Sequence, residues 1–142
     1  MPFVSITRLR IRSLRFMPAF IVHTLGANAQ VRTAAGFLAG SLLPDRQRAF
    51  WTMTLWRNPA DMRRYITTGA HFRTMPKLMR LCDEASIVHW DQSGPDLPGW
   101  ADADRRMRAA GRPSKVLHPS SDHQTLAYAA PRLTRAAPIM PK

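Results

Sequence analysis

The sequence predicts an α+β fold. Its order is βαββαβ, a four-stranded antiparallel sheet with both helices on one face, and two copies are expected to close a dimeric α+β barrel. Three observations carry this reading. Four short segments have strand character. Two segments with helical spacing separate them in the order a split βαβ unit requires. The sheet so formed keeps one uncovered side that is still apolar, which calls for a second sheet.

Residues 3–11, FVSITRLRI, alternate as a strand does: Phe3, Ser5, Thr7, Leu9 and Ile11 on one face, Val4, Ile6, Arg8 and Arg10 on the other. Ser13 is placed to cap a helix over 14–31, whose Leu14, Met17, Ile21 and Leu25 would face the sheet. Pro18 falls in its first turns, where it bends a helix without abolishing it. Residues 34–45 are apolar and punctuated by glycine, a strand with a bulge or close contact at Gly40. Residues 48–56, RAFWTMTLW, are aromatic and β-branched and form the clearest strand. In NPADM, Asn58 is a good N-cap, Pro59 suits the first helical position and Asp61 complements the helix dipole. That helix carries Met62, Tyr65 and Ile66 inward and ends near Gly69. A second helical piece follows with His71, Met75, Leu78, Met79 and Cys82 on one stripe and a kink or restart at Pro76. Residues 84–92 alternate again.

The barrel domain therefore spans 1–92. Over 93–118 a short amphipathic helix is expected, with Trp100, Ala103 and Met107 on one side, followed by an extended arm or edge strand. Residues 119–142 are rich in Pro and Ala and read as a loosely held tail.

Lys and Arg number 21 against 9 Asp and Glu, a formal net charge of +12, and Glu84 is the sole glutamate. Such a field attracts anions. Arg8, Arg10, Arg12 and Arg15 suit an anionic membrane surface or a solvated edge that resists strand pairing. No groove-reading helix accompanies them, which argues against nucleic acid as a partner. Cys82 is the only cysteine, so no intrachain disulfide forms, in keeping with a reducing cytoplasm. No apolar run reaches the ~20 residues of a membrane span. The basic and apolar N-terminus imitates a signal peptide, but Pro18, His23 and the strand alternation before them argue against one. No histidine pair has metal-binding i, i+4 spacing, and neither a nucleophile elbow nor a phosphate-cradling loop is present.

FVSITRLRIRSLRFMP, FWTMTLW, MRRYITTGAHFRTMPKL, CDEASIVHW and GRPSKVLHPS give the chain a family likeness over about residues 3–118. It resembles the antibiotic-biosynthesis-monooxygenase-like dimeric α+β barrels, whose subunit is ferredoxin-like. Within them it is most similar to small bacterial proteins related to spheroidene monooxygenase. The resemblance implies a homodimer and a ligand held between sheet and kinked helix. It also implies a monooxygenase-like activity on a small apolar or aromatic molecule, without a cofactor. A non-catalytic binding or accessory role, or haem binding, are the alternatives within the same fold.

His71 aligns with a histidine that many cofactor-free members carry after the second helix. In that role it would orient or deprotonate a substrate hydroxyl, and an imidazole pKa near 6.5 suits the task. Packing against a backbone carbonyl is its plainer reading. For haem, Tyr65 holds the register of an aromatic residue, but Met75 stands where the ligating histidine would be. Thr52, Thr54 and Trp56 share a strand face and would give a cavity two hydroxyls and an indole N–H. Trp56 also resembles a structural tryptophan at this strand's end. The expected pocket is thus His71 as the catalytic group, with Thr52, Thr54, Trp56, Tyr65 and Met75 against substrate.

Overall fold

The computed structural model describes residues 1–142. Strand β1 (Phe3–Ile11) is central and runs antiparallel to β3 (Ala49–Trp56) on one side and β4 (Cys82–Asp91) on the other. Strand β2 (Phe37–Pro44) pairs antiparallel with β3. A Cβ on Gly40 would lie 2.9 Å from the Met53 carbonyl oxygen, so glycine lets β2 approach β3 and pack under Ile139. The sheet is wider than the predicted four strands. It has six, because β5 (Arg112–Pro113) joins the edge at β4 and β6 (Ala137–Ile139) joins the edge at β2. Both open edges of the four-stranded core offered unpaired backbone groups, and the C-terminal chain covers part of each. Strands of two or three residues carry no periodicity that a sequence can show.

Three helices cover one face: α1 (Met17–Arg32), α2 (Pro59–Ile66) and α3 (Gly69–Leu81). Asn58 caps α2 as expected, its Oδ1 accepting the Asp61 N–H at 2.9 Å. Helix α3 continues through Pro76. A single 3₁₀ turn, Leu14–Phe16, precedes α1, so Ser13 is not its cap and makes no capping bond. Pro18 then falls in the first helical turn, where no N–H is required. The inward face of α1 differs from the prediction. Leu14, Ile21 and Leu25 are exposed, while Phe20 and Val31 are buried. The reason is composition: α1 has no charged residue before Arg32, and Thr24, Asn28 and Gln30 lie on its inward side, so apolar and polar residues are mixed round it and spacing alone selects no stripe.

The other face of the sheet is not bare. Helix α4 (Trp100–Ala110) and the chain around Tyr128 lie across it. Ala103, Met107 and Tyr128 pack with Val4, Ile6, Leu43, Trp51, Met53, Leu55 and Val88 in one core. The apolar surface reserved for a second copy is thus filled by the same chain, with helices on both faces. The segment from 119 on, expected to hang loose, buries His123, Tyr128 and Ile139. His123 Nδ1 accepts the Ala85 N–H at 3.3 Å, leaving Nε2 to donate to the Ser114 carbonyl at 2.8 Å.

The tail is pinned by charges read earlier as a solvated edge. Arg8 and Arg10 reach the two oxygens of Glu84 at 2.6 and 2.9 Å, and Ser120 Oγ donates to the same carboxylate at 2.7 Å. Tyr128 sits between two guanidinium groups, Arg8 at 4.2 Å and Arg108 at 4.1 Å from its ring, and donates to Asp104 at 2.8 Å. Burial pulls the Glu84 carboxyl upward, but the hydrogen bonds from Arg8 and Ser120 and the charges of Arg8 and Arg10 outweigh it and hold the group below its ordinary 4.5. A lowered folded value means that Glu84 stabilises fully above about pH 4.5 and loses its contribution as pH falls through the lowered value. Glu84→Gln is expected to cost about 3 kcal/mol near pH 7, the usual loss on breaking a buried pair. In urea denaturation the gap from wild type should narrow below about pH 4.5. A gap unchanged by acid would mean the carboxylate charge contributes nothing.

Candidate functional site: an apolar cavity under the helical layer

A cavity of about 300 Å³ lies between the sheet and the α1–α2–α3 layer, and 16 of its 24 lining residues are hydrophobic. That size is at the lower end of the range for small-molecule sites, and such a lining favours an apolar guest with few polar groups. Its floor comes from alternate positions of two paired strands. Ser5, Thr7 and Leu9 of β1 point the same way as Phe50, Thr52 and Thr54 of β3 because the register pairs Ser5 with Thr54 and Thr7 with Thr52. The roof is Phe20, Thr24 and Asn28 of α1 with Tyr65, His71, Met75 and Leu78 of α2 and α3.

Five of the six predicted site residues line this cavity: Thr52, Thr54, Tyr65, His71 and Met75. Trp56 does not. It is fully buried behind the wall, and its indole N–H, expected to face a ligand, donates to Thr54 Oγ1 at 2.8 Å. It supports Tyr65 instead, their rings lying 5.2 Å apart. Tyr65 in turn donates its hydroxyl to the Ala27 carbonyl at 3.1 Å and places its ring 4.8 Å from that of His71. Burial raises the Tyr65 phenol well above its ordinary value, so it stays protonated.

His71 is the chemically notable group. Its Nδ1 is buried without a hydrogen-bond partner. Burial lowers its pKa below the ordinary 6.5, partly offset by the Ile66 backbone, so the ring is neutral at neutral pH. Two residues that sequence reading missed complete the picture. Asn28 Oδ1, on α1 in the same cavity wall, is also buried and unpartnered. Gln30 is the positioning residue: its Oε1 accepts the His71 backbone N–H at 2.7 Å while its Nε2 donates to the Thr68 and Tyr65 carbonyls at 2.9 and 3.1 Å. Gly69, at φ +63°, keeps this joint open, since a Cβ there would press on the Gln30 amide at 3.2 Å. Two amides late in α1 carry no sequence motif, so only the fold reveals them.

No three His, Cys, Asp or Glu side chains converge on a metal-binding geometry. Cys82 is buried and its thiol is pushed up to about 12, by burial first and then by Asp83, which makes it a packing residue. His89 stacks on Phe3 at 5.4 Å and is not among the cavity residues. The crevice between Arg8, Glu84, Ser86, His123 and Tyr128 encloses no free volume.

No family model and no curated protein matches the chain. Solved structures do. A crystal structure of a variant of SnoaB, a cofactor-independent oxygenase from Streptomyces nogalater, is similar with a TM-score of 0.56 at 15% identity, covering 68% of this chain and 97% of that one. An antibiotic biosynthesis monooxygenase superimposes with a TM-score of 0.58 at 16% identity, over 65% of this chain and 99% of that one. The chain has the antibiotic-biosynthesis-monooxygenase fold. A Pseudomonas aeruginosa protein of the same fold has 21% identity and a TM-score of 0.57, over 66% of this chain and 95% of that one. Nearly whole neighbours thus match about two thirds of the chain, and no helix is long and apolar enough to cross a membrane.

The environment of His71 fixes the direction of its titration. In the folded protein its midpoint in an NMR pH series is expected below 6.5. Because the unfolded chain takes up that proton first, His71 should make the protein lose stability as pH falls below about 6.5. A midpoint at or above 6.5 would mean that water reaches the ring freely.

Proposed function

We propose that the chain is a monooxygenase-like protein that acts, without a cofactor, on a small apolar or aromatic molecule held in this cavity. The observation that carries the proposal is the neutral His71 set into the roof of a largely apolar cavity. The similarity in fold to a cofactor-independent oxygenase agrees with this chemistry.

In such a reaction the substrate supplies the electrons. His71 accepts a proton from an activated carbon or its conjugated hydroxyl. Dioxygen takes electrons from the resulting anion, a carbon–oxygen bond forms, and the proton on the imidazolium returns to the peroxide. Loss of water then converts a CH₂ carbon to a carbonyl, so both oxygen atoms are accounted for. Asn28 and the Thr52 hydroxyl provide the polar contacts that orient the substrate, and the apolar wall excludes water. The likeness to spheroidene-monooxygenase-related proteins favours a conjugated substrate. Haem fits poorly: a porphyrin would force the helical layer off the sheet to enter a space of about 300 Å³.

Oxygen consumption with a panel of polyphenols, anthrone-type polycycles and conjugated polyenes tests the reading. Uptake is expected with at least one member, and His71→Ala should lower kcat by about 10²–10⁴, the usual contribution of a positioned proton acceptor. Thr52→Val should act mainly on KM. No uptake, together with a small molecule retained by the purified protein in native mass spectrometry, would instead assign a binding role.

A further inference from the structure

The outer surface of the helical layer has no partner within the chain. On it Leu14, Val22, Leu25 and Phe72 are 69, 67, 63 and 60% exposed, and Ile21 is 46% exposed. The remaining outward positions of α1 before Arg32, namely Pro18, Ala19, Gly26 and Ala29, are uncharged. This is an apolar strip along a whole helix and onto its neighbour, far beyond the scattered exposed leucines of an ordinary surface.

The charged residues at its border are all basic. Arg15, Arg32, Arg73, Lys77 and Arg80 are exposed around it. No acidic residue occurs from Met1 to Pro44 or from Met62 to Cys82, so the layer that carries the strip has no negative charge apart from Asp61, which Arg57 and Arg64 neutralise. Apolar insertion ringed by Arg and Lys is the pattern of a helix lying in the interface of an anionic bilayer.

We propose that the outer face of α1 and α3 docks on an anionic lipid surface, with the cavity mouth toward the bilayer. The mouth belongs to the same strip: Ile21 and Leu25 are both exposed and part of the cavity lining. An apolar molecule dissolved in the bilayer enters the cavity without crossing water. That route rests on the proposed substrate class; the docking does not. A symmetric pairing of two copies through this face would set like cations against each other with no acid to offset them. The basic strand residues are not the source of the effect, since Arg8 and Arg10 are spent on Glu84.

The full chain is mixed with vesicles of phosphatidylcholine alone or with one third phosphatidylglycerol, and bound protein is separated by flotation. Binding to the anionic vesicles is expected, weakening at least tenfold in high salt. Val22→Glu with Phe72→Glu should weaken it tenfold or more, as should Arg73→Glu with Lys77→Glu. All four side chains are exposed, so circular dichroism should show the variants folded. No binding to anionic vesicles, or binding that both double variants retain, overturns the proposal. So does sedimentation showing that Val22→Glu with Phe72→Glu converts a stable dimer to a monomer. Oxygen uptake on a detergent-dissolved substrate should be unaffected by these variants, which separates a failure of docking from a failure of the catalytic reading.

Discussion

Closure of the second sheet face by the chain's own C-terminal third is the constraint on which the structure rests. Strands β1 and β3 turn Val4, Ile6, Trp51, Met53 and Leu55 away from the three helices. Left in water, those side chains would forfeit roughly 1.5–3 kcal/mol each. Helix α4 meets them with Ala103 and Met107, and Tyr128 closes the end over Trp51 with ring centres 5.5 Å apart. The sole glutamate matters because it joins the two halves: one carboxylate binds Arg8 and Arg10 of the central strand and Ser120 of the covering segment. The sheet is then held rigid from one side, and the cavity on the other side has a fixed floor.

That fixed floor positions the residues lining the cavity. Strands β1 and β3 present four hydroxyl residues in register, while the roof brings His71 and Asn28 from different helices. Gln30 locks the α1 end to the α2–α3 joint, so the position of His71 depends on a side chain that does not line the cavity. Under the proposed reading, a neutral imidazole over a largely apolar cavity suits a substrate whose anion is delocalised. Ile21 and Leu25 belong both to the cavity lining and to the exposed apolar strip of α1.

The strands, the Asn58 cap and the Trp100–Ala103–Met107 stripe were legible because each has strong local causes: alternation, a cap followed by proline, a 3–4 spacing. The cavity floor followed from strand parity alone, which brought Thr52 and Thr54 to the right face. Trp56 has that same parity, yet it lies at the strand end behind Tyr65, and parity carries no information about depth. The face of α1 was not legible, because its apolar and polar residues are spread all round and mark no stripe; packing chose Phe20, beside Leu78 of α3, and Val31, beside Phe37, Trp56 and Met62. The tail misled by composition. Its Pro and Ala content hides three anchors, His123, Tyr128 and Ile139, whose partners Ala85, Arg8 and Gly40 lie 38 to 120 residues away in sequence.

Amide hydrogen exchange tests the closure most directly. If α4 and the chain around Tyr128 form one core with the sheet, the amides of Ala103 and Met107 should exchange only through global unfolding. Their opening free energies should then fall within about 1 kcal/mol of those for Ile6 and Met53. Exchange of α4 at a much lower opening energy, with β1 and β3 still protected, would show the helix to be a loose appendage and would contradict the account.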